Sequence, residues 1–302
     1  MFLPVVGQAR AAMALNALSD AAGSLTVQTL RAEHEAEVLA FLAARPVHTV
    51  FLAGFIRDNG LESELNRGTF HAYRDRQGRL EGVALIGHFT LVEARSEAAL
   101  AAFARLAQDC HSTHMILGEK DNAAALWSYF AQAGRTPRRV CRELLFEQQS
   151  PMAPLEHVSG LRQATSDDLP VILPLNAEMV CQESGINPLE VDPSGFELRW
   201  LRRIEQGRVW VWIENGRLIF NADVMSETPD VIYLEGVYVH PDERGKGYGA
   251  RCLSQLSRDL LQRAKSICLL VNEQHQQSHA FYRSAGFTLS AYYDSIFLHL
   301  NN

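Results

Sequence analysis

The chain is poor in features that usually announce a function. Across 302 residues it has no excess of positive charge, no closely paired cysteines, no membrane-length apolar run and no Gly-Lys-Ser/Thr triplet. A formal net charge of −7, with no basic cluster, argues against nucleic acid or an anionic membrane surface as partner. Five cysteines (Cys110, Cys141, Cys181, Cys252 and Cys268) are an odd number with no CxxC pair, so neither a disulfide framework nor a zinc ribbon is expected. That usage suits a reducing cytoplasm. His111 and His114 in "HSTH" have poor spacing for a metal, and Cys252 reads as helix core rather than nucleophile. No run of some eighteen apolar residues exists to span a bilayer. The first residues, "MFLPVVGQARAAMALNALSDAAG", lack the basic start of a secretory signal, and a short helix packed on the body is expected there.

What is present is a globular composition, 47% hydrophobic, in a chain long enough for two domains. "QQSPMAPLEH" (148 to 157) is polar with two prolines and reads as a linker. It divides a first domain, residues 1–147, from a second, residues 158–302. In the second, "LPVILPLNAEMVCQES" reads as a helix kinked by proline, followed by another over residues 193 to 205. Two strands flank the Asn-Gly turn of "RVWVWIENGRLIFNADV", and the strand "VIYLEGVYV" follows. Next come a glycine-rich loop, an amphipathic helix with Leu253, Leu256, Leu260 and Ala264 at helical spacing, and the apolar strand "SICLLV". Strand, loop, helix, strand is a crossover unit joining parallel strands. A helix "QSHAFYRSAGF" and a closing strand near residues 290 to 299 complete an α/β half with a mixed sheet.

The first half has the same order in weaker form: helices near 31–44 and 50–58, strands near 69–73 and 80–92, and a helix near 96–107. "HMILGEKDNAAALWSYFAQAG" (114–134) lies without a gap over "SICLLVNEQHQQSHAFYRSAG" (266–286), an offset of 152, which points to an internal duplication. The copies differ where chemistry would lie. Opposite the second half's glycine loop the first has "VEARSEAALAAFARLA", whose side chains would keep a phosphate from the backbone amides. Opposite Tyr282 it has Phe130, without a hydroxyl. Cofactor and chemistry are therefore expected in the second half.

The loop itself reads Val239-x-Pro241-x-x-Arg244-Gly245-Lys246-Gly247-Tyr248-Gly249. A Walker loop would end in Gly-Lys-Ser/Thr, and a dinucleotide fold needs G-x-G-x-x-G, so neither fits. The pattern V-x-P-x-x-R-G-x-G-x-G resembles the signature of the GNAT superfamily of acyl-CoA N-acyltransferases, and the resemblance extends from Asn272 through Ser278, Phe281 and Tyr282 to Phe287. The chain thus looks like tandem GNAT-like domains, α/β (α+β) with mixed, mostly antiparallel sheets flanked by helices, an N-terminal copy degenerate and a C-terminal copy intact.

The resemblance implies acetyl-CoA as cosubstrate, with its pyrophosphate on the backbone of Arg244, Gly245, Lys246, Gly247, Tyr248, Gly249 and Ala250 at a helix N-terminus. It implies that Val237 and Val239 pair with the pantetheine arm, that Asn272 and Ser278 contact it, and that Tyr282 protonates the departing thiolate. His275 stands where many relatives have asparagine. Gly236 is placed for a bulge. Glu235 interrupts an apolar strand and by alternation shares a face with Val237 and Val239, which makes it the candidate base; pairing with an arginine or turning to solvent past a bulge is the structural alternative. Glu183, in the helix that lines the acceptor site of such proteins, is the candidate for recognising a cationic amine. No metal is implied. The expected activity is N-acetyl transfer to a primary amine by direct attack; the alternative is a non-catalytic acyl-CoA-binding regulator or sensor.

Overall fold

The computed structural model describes residues 26–153 and 155–299. The helix expected before residue 24 lies outside them. In chain order the elements begin β1 (Thr26–Thr29), α1 (Glu35–Leu42), α2 (Val50–Asn59), β2 (Gly68–Arg74), β3 (Leu80–Gly87) and β4 (Phe89–Ala94). They continue α3 (Glu97–Gln108), β5 (Met115–Glu119), α4 (Lys120–Gln132) and β6 (Arg139–Gln148). The second half has β7 (Arg162–Gln163), α5 (Leu169–Ser184), α6 (Pro188–Val191), α7 (Pro193–Glu205), β8 (Val209–Glu214), β9 (Arg217–Glu227) and β10 (Val231–Val239). It ends with α8 (Tyr248–Leu260), β11 (Ser266–Asn272), α9 (Gln276–Ser284) and β12 (Thr288–Phe297).

Local chemistry accounts for many of these boundaries. Asn215 and Gly216 take positive φ of 51° and 75°, the two-residue turn that folds β8 onto β9. Ser96 caps α3 through the Ala99 amide, and Asp192 caps α7 through the Gly195 amide. Pro174 stays inside α5. The single strand expected over 80–92 is two strands, because the chain reverses at His88 so that β4 lies antiparallel to β3. Gln148, assigned from sequence to the linker, closes β6 and donates to the Ala285 carbonyl.

Among the described residues, twelve strands form one continuous sheet, ordered β1-β2-β3-β4-β5-β12-β6-β11-β10-β9-β8-β7. Only β4 with β5 and β10 with β11 pair parallel, one crossover in each half. At the centre the halves exchange their last strands. β12 lies between β5 and β6, and β6 lies between β12 and β11. Arg142 faces Asp294 across this junction, 152 residues away, and the two form an ion pair there.

Helices cover both faces. On one, α3 and α4 pack over the first half's strands and α8 and α9 over the second's, around Phe103, Phe130, Leu253 and Leu256. On the other lie α1 and α2 and, over β8 and β9, α5 and α7. The helix α2 reaches past its own half: the Val50 carbonyl accepts from Ser226 Oγ on β9 at 2.7 Å, and Asp58 pairs with Arg208. A Cβ on Gly54 would come within 1.7 Å of Ser226 Oγ, so a residue without a side chain is needed where helix meets strand.

Candidate active site

β10 and β11 run together only over Val231–Tyr233 and Ser266–Cys268. Beyond that they part, β10 following β9 to Val239 while β11 follows β6 to Asn272. Backbone groups of Leu234 to Val239 on that side therefore face a gap instead of a strand. Tyr233 Oη reaches across its closed end to accept from the Leu270 amide at 3.3 Å.

A bulge sets what β10 presents to this gap. Glu235 pairs with Asp223 but Tyr238 pairs with Asn221, so three steps on β10 match two on β9. Gly236 takes φ +62° within the bulge, and its carbonyl is held by Asn221 Nδ2 at 2.9 Å. A Cβ there would lie 2.4 Å from Asp223 Oδ1. The extra residue reverses the alternation that sequence suggests. Ile232 and Leu234 point into the core beneath α8, and so do Val237 and Val239, whereas Glu235 stays on the opposite face with Asp223. Glu235 does not share a face with the two valines. It is also not a buried, unpaired carboxylate: its side chain is 47% exposed, 3.6 Å from Arg203, which binds Asp223 at 2.7 Å.

Around Glu235 lies an acidic cluster, part of it supplied by the first half. Glu143 on β6 is buried, accepts from Ser295 Oγ at 2.7 Å, and has its carboxyl raised by burial and by Glu235. Glu183, near the end of α5, is exposed to solvent at its surface, with protein atoms crowded around its carboxyl. Loss of surrounding water, with the charges of Glu143 and Glu235 added, pushes its carboxyl up to about 8. Asp223, fully enclosed, is raised by burial to about 7 against the pull of Arg203. Glu143, Asp223 and Arg203 are site residues that sequence reasoning missed. Asp223 left a signal, an acidic residue inside the apolar run "LIFNADV"; Glu143 left none, since its place depends on which half's sheet β6 joins.

On the other face, Gly245 and Gly247 have φ of +75° and +80°, and open space lies where a Cβ would be. They turn the chain into α8, whose N-cap, Gly247, offers no capping side chain. Among the described residues no loop carbonyl accepts from the amides of Gly245 to Ala250. Six N–H groups thus stand free at the positive end of a thirteen-residue helix, which suits an anion with several oxygens. Gly249 serves packing: a Cβ would lie 2.8 Å from Val239 Cγ2. Arg244 braces the end of β10 through the Val239 carbonyl, and Lys246 binds Glu243 at 2.9 Å. Tyr248 packs edge-on against Trp212.

Tyr282 is buried among Phe146, Phe281 and Phe287 under the same face as the valines. Burial raises its pKa, so the hydroxyl holds its proton. Asn272 ends β11 and accepts from the Gln274 amide, while Ser278 lies half-buried in α9. No group of three His, Cys, Asp or Glu residues among those described is arranged to hold a metal.

The first half repeats the splay without the machinery. β4 leaves β5 after Leu91 and Leu117. Only Arg95 and Ser96 separate β4 from α3, and Phe130 is fully buried at the place of Tyr282. Arg45 crosses the parted strands, binding Glu93 on β4 and Glu119 on β5. This ion bridge occupies the course that an inserted chain would take.

Residues 176–287 match the family model for the acetyltransferase (GNAT) family. No curated protein matches the chain. Among solved structures, a Drosophila protein aligns with a TM-score of 0.67 at 14% identity, over 92% of this chain and 100% of that one. A GCN5-related N-acetyltransferase from Sphaerobacter thermophilus aligns with a TM-score of 0.59 at 15% identity, over 92% and 96%. The tandem GNAT protein from the clavulanic acid biosynthesis pathway aligns with a TM-score of 0.58 at 13% identity, over 92% and 99%. The chain therefore has the fold of a tandem GNAT protein, and its C-terminal half matches the model of the acetyltransferase (GNAT) family.

Proposed function

We propose that the chain transfers an acetyl group from acetyl-CoA to a primary amine by direct attack in a ternary complex, at one site in residues 158–302 with Glu143 added from β6. The observation that carries this reading is the parting of β10 from β11 beside an uncapped, glycine-turned helix N-terminus. The thioester supplies the acyl group. Amides of Gly245 to Ala250 hold the pyrophosphate, and the free edge of β10 at Val237 and Val239 holds the pantetheine arm, where a strand amide polarises the carbonyl. Asn272 and Ser278 bound the other side of the gap.

The two faces of the sheet divide the proton chemistry. The acidic cluster receives the ammonium form of the acceptor, and Glu183 and Glu143 favour its positive charge once they are ionised. Glu235, open to solvent, takes the proton that must leave before nitrogen attacks, directly or through water. Tyr282, on the opposite face, donates to the departing sulfur. Its raised pKa makes it a weak acid but a dependable hydrogen-bond donor.

Release of free thiol from acetyl-CoA across a panel of amines tests the assignment. At least one primary amine should support turnover, and Tyr282→Phe should lower it about 10-fold to 100-fold with acetyl-CoA affinity nearly unchanged. No turnover with any amine, alongside intact acetyl-CoA binding, would favour a binding module.

A further inference from the structure

The bulge in β10 turns one peptide group over. On β9 the Val224 amide donates to Arg208 on the β8 side, so Asp223 turns its own amide and carbonyl to Glu235 on β10. Along a regular strand the next carbonyl, that of Gly236, would face away from β9 and into the gap. The extra residue at positive φ breaks that alternation. The Gly236 carbonyl instead accepts from Asn221 Nδ2, on β9, at 2.9 Å. The Gly236–Val237 peptide is planar and trans, so the Val237 N–H points the opposite way, off β9 and toward the gap. Asn221 is fully buried, yet its Oδ1 has no hydrogen-bond partner among the described residues. An asparagine kept only to complete the core would have both ends of its carboxamide satisfied; this one has its nitrogen end alone in use.

We propose that Asn221 is a positioning residue for the acetyl transfer assigned above, on which its role depends: by holding the Gly236 carbonyl it aims the Val237 amide at the thioester oxygen. When the acceptor nitrogen attacks the carbonyl carbon, the C=O π pair moves onto oxygen, and an N–H already turned toward that oxygen stabilises the charge without reorganising. Gly236 alone would not hold the amide so, since glycine changes between positive and negative φ at little cost. The opposite orientation of the same peptide would present the Gly236 carbonyl to the thioester, lone pair against lone pair. Asn221 lies across β10 from the gap, so it acts through the backbone and touches neither substrate.

Isotope-edited infrared spectra of the full chain with acetyl-CoA labelled at the carbonyl carbon, taken without acceptor, test this role. On the native chain the thioester C=O stretch should lie at lower wavenumber than in free acetyl-CoA. The native chain should also bind acetyl-CoA more tightly than the ethyl thioether of coenzyme A, which lacks the carbonyl. Asn221→Leu, with the same branched outline and no donor, should lose most of the shift and most of that preference while still binding acetyl-CoA. In turnover its kcat should fall about 10-fold to 100-fold with both KM values little changed. A side chain that only packed would leave the shift and the preference in place. The role is overturned if Asn221→Leu binds acetyl-CoA with the native shift or the native preference. Binding to the native chain without any shift overturns it too and leaves the cosubstrate assignment intact, whereas no binding of acetyl-CoA overturns both. Should Asn221→Leu fail to fold, Asn221→Ala, which adds no new contact, decides by the same two readings.

Discussion

Glu183 is held near the pH at which an acceptor amine would meet it. Its carboxyl is pushed up to about 8, first by lost hydration and then by Glu143 and Glu235, so below that pH it is protonated and exerts little pull on a cation. Apparent affinity for a cationic acceptor should therefore rise as pH rises through about 8, and Glu183→Gln should flatten that limb. Kinetics against pH with a saturating cosubstrate would show it; an unchanged limb would remove Glu183 from the site. Stability has the opposite slope. A carboxyl that binds its proton more tightly when folded stabilises the fold below the ordinary range, near 4.5, and that contribution is lost as pH rises through about 8. At this scale the sequence was partly legible. The glycine signature, Tyr282 and Glu183 stand out by pattern; the first two lie on one face of the sheet, and Glu183 lies with Glu143 and Glu235 on the other. The face of Glu235 does not stand out, because one extra residue at Gly236 reverses every side chain beyond it.

Between elements, the junction of β6 with β12 decides how the halves combine. Arg142 and Asp294 occupy matching places in the two copies and face each other, so a single residue type in both positions would meet its own charge. Opposite charges make the unequal pairing favourable. Arg142→Asp should cost about 2 kcal/mol, since Asp294 is largely buried and would face a like charge, and adding Asp294→Arg should restore most of it. Denaturant unfolding of the two single variants and the double one measures this; a double variant no better than the sum of its parts would show that the pair does not couple the strands. Helices, hairpin and crossover were readable from periodicity and turn residues. The exchange was not, because β6 offers an apolar run that suits either half's sheet, and the choice rests on contacts far apart in sequence.

For the molecule as a whole, the two halves hold two gaps that differ in what surrounds them. One keeps the glycine turn, free amides and a buried tyrosine; the other has a short turn, a phenylalanine and an arginine bridging its strands. The asymmetry was legible in the missing glycines near residue 95 and in Phe130, while the Arg45 bridge needed the fold to bring three distant residues together. Yet the halves do not act as separate bodies. The first supplies Glu143 to the second's acidic cluster, the second places Tyr293 beside the first's parted strands, and α2 packs across the boundary. On the proposed function, one gap alone takes the cosubstrate. Calorimetric titration of the full chain with acetyl-CoA should give one site per chain, and Gly247→Trp, which fills the turn at a backbone angle hostile to side chains, should abolish it. Two equivalents per chain, or full binding in Gly247→Trp, would contradict it.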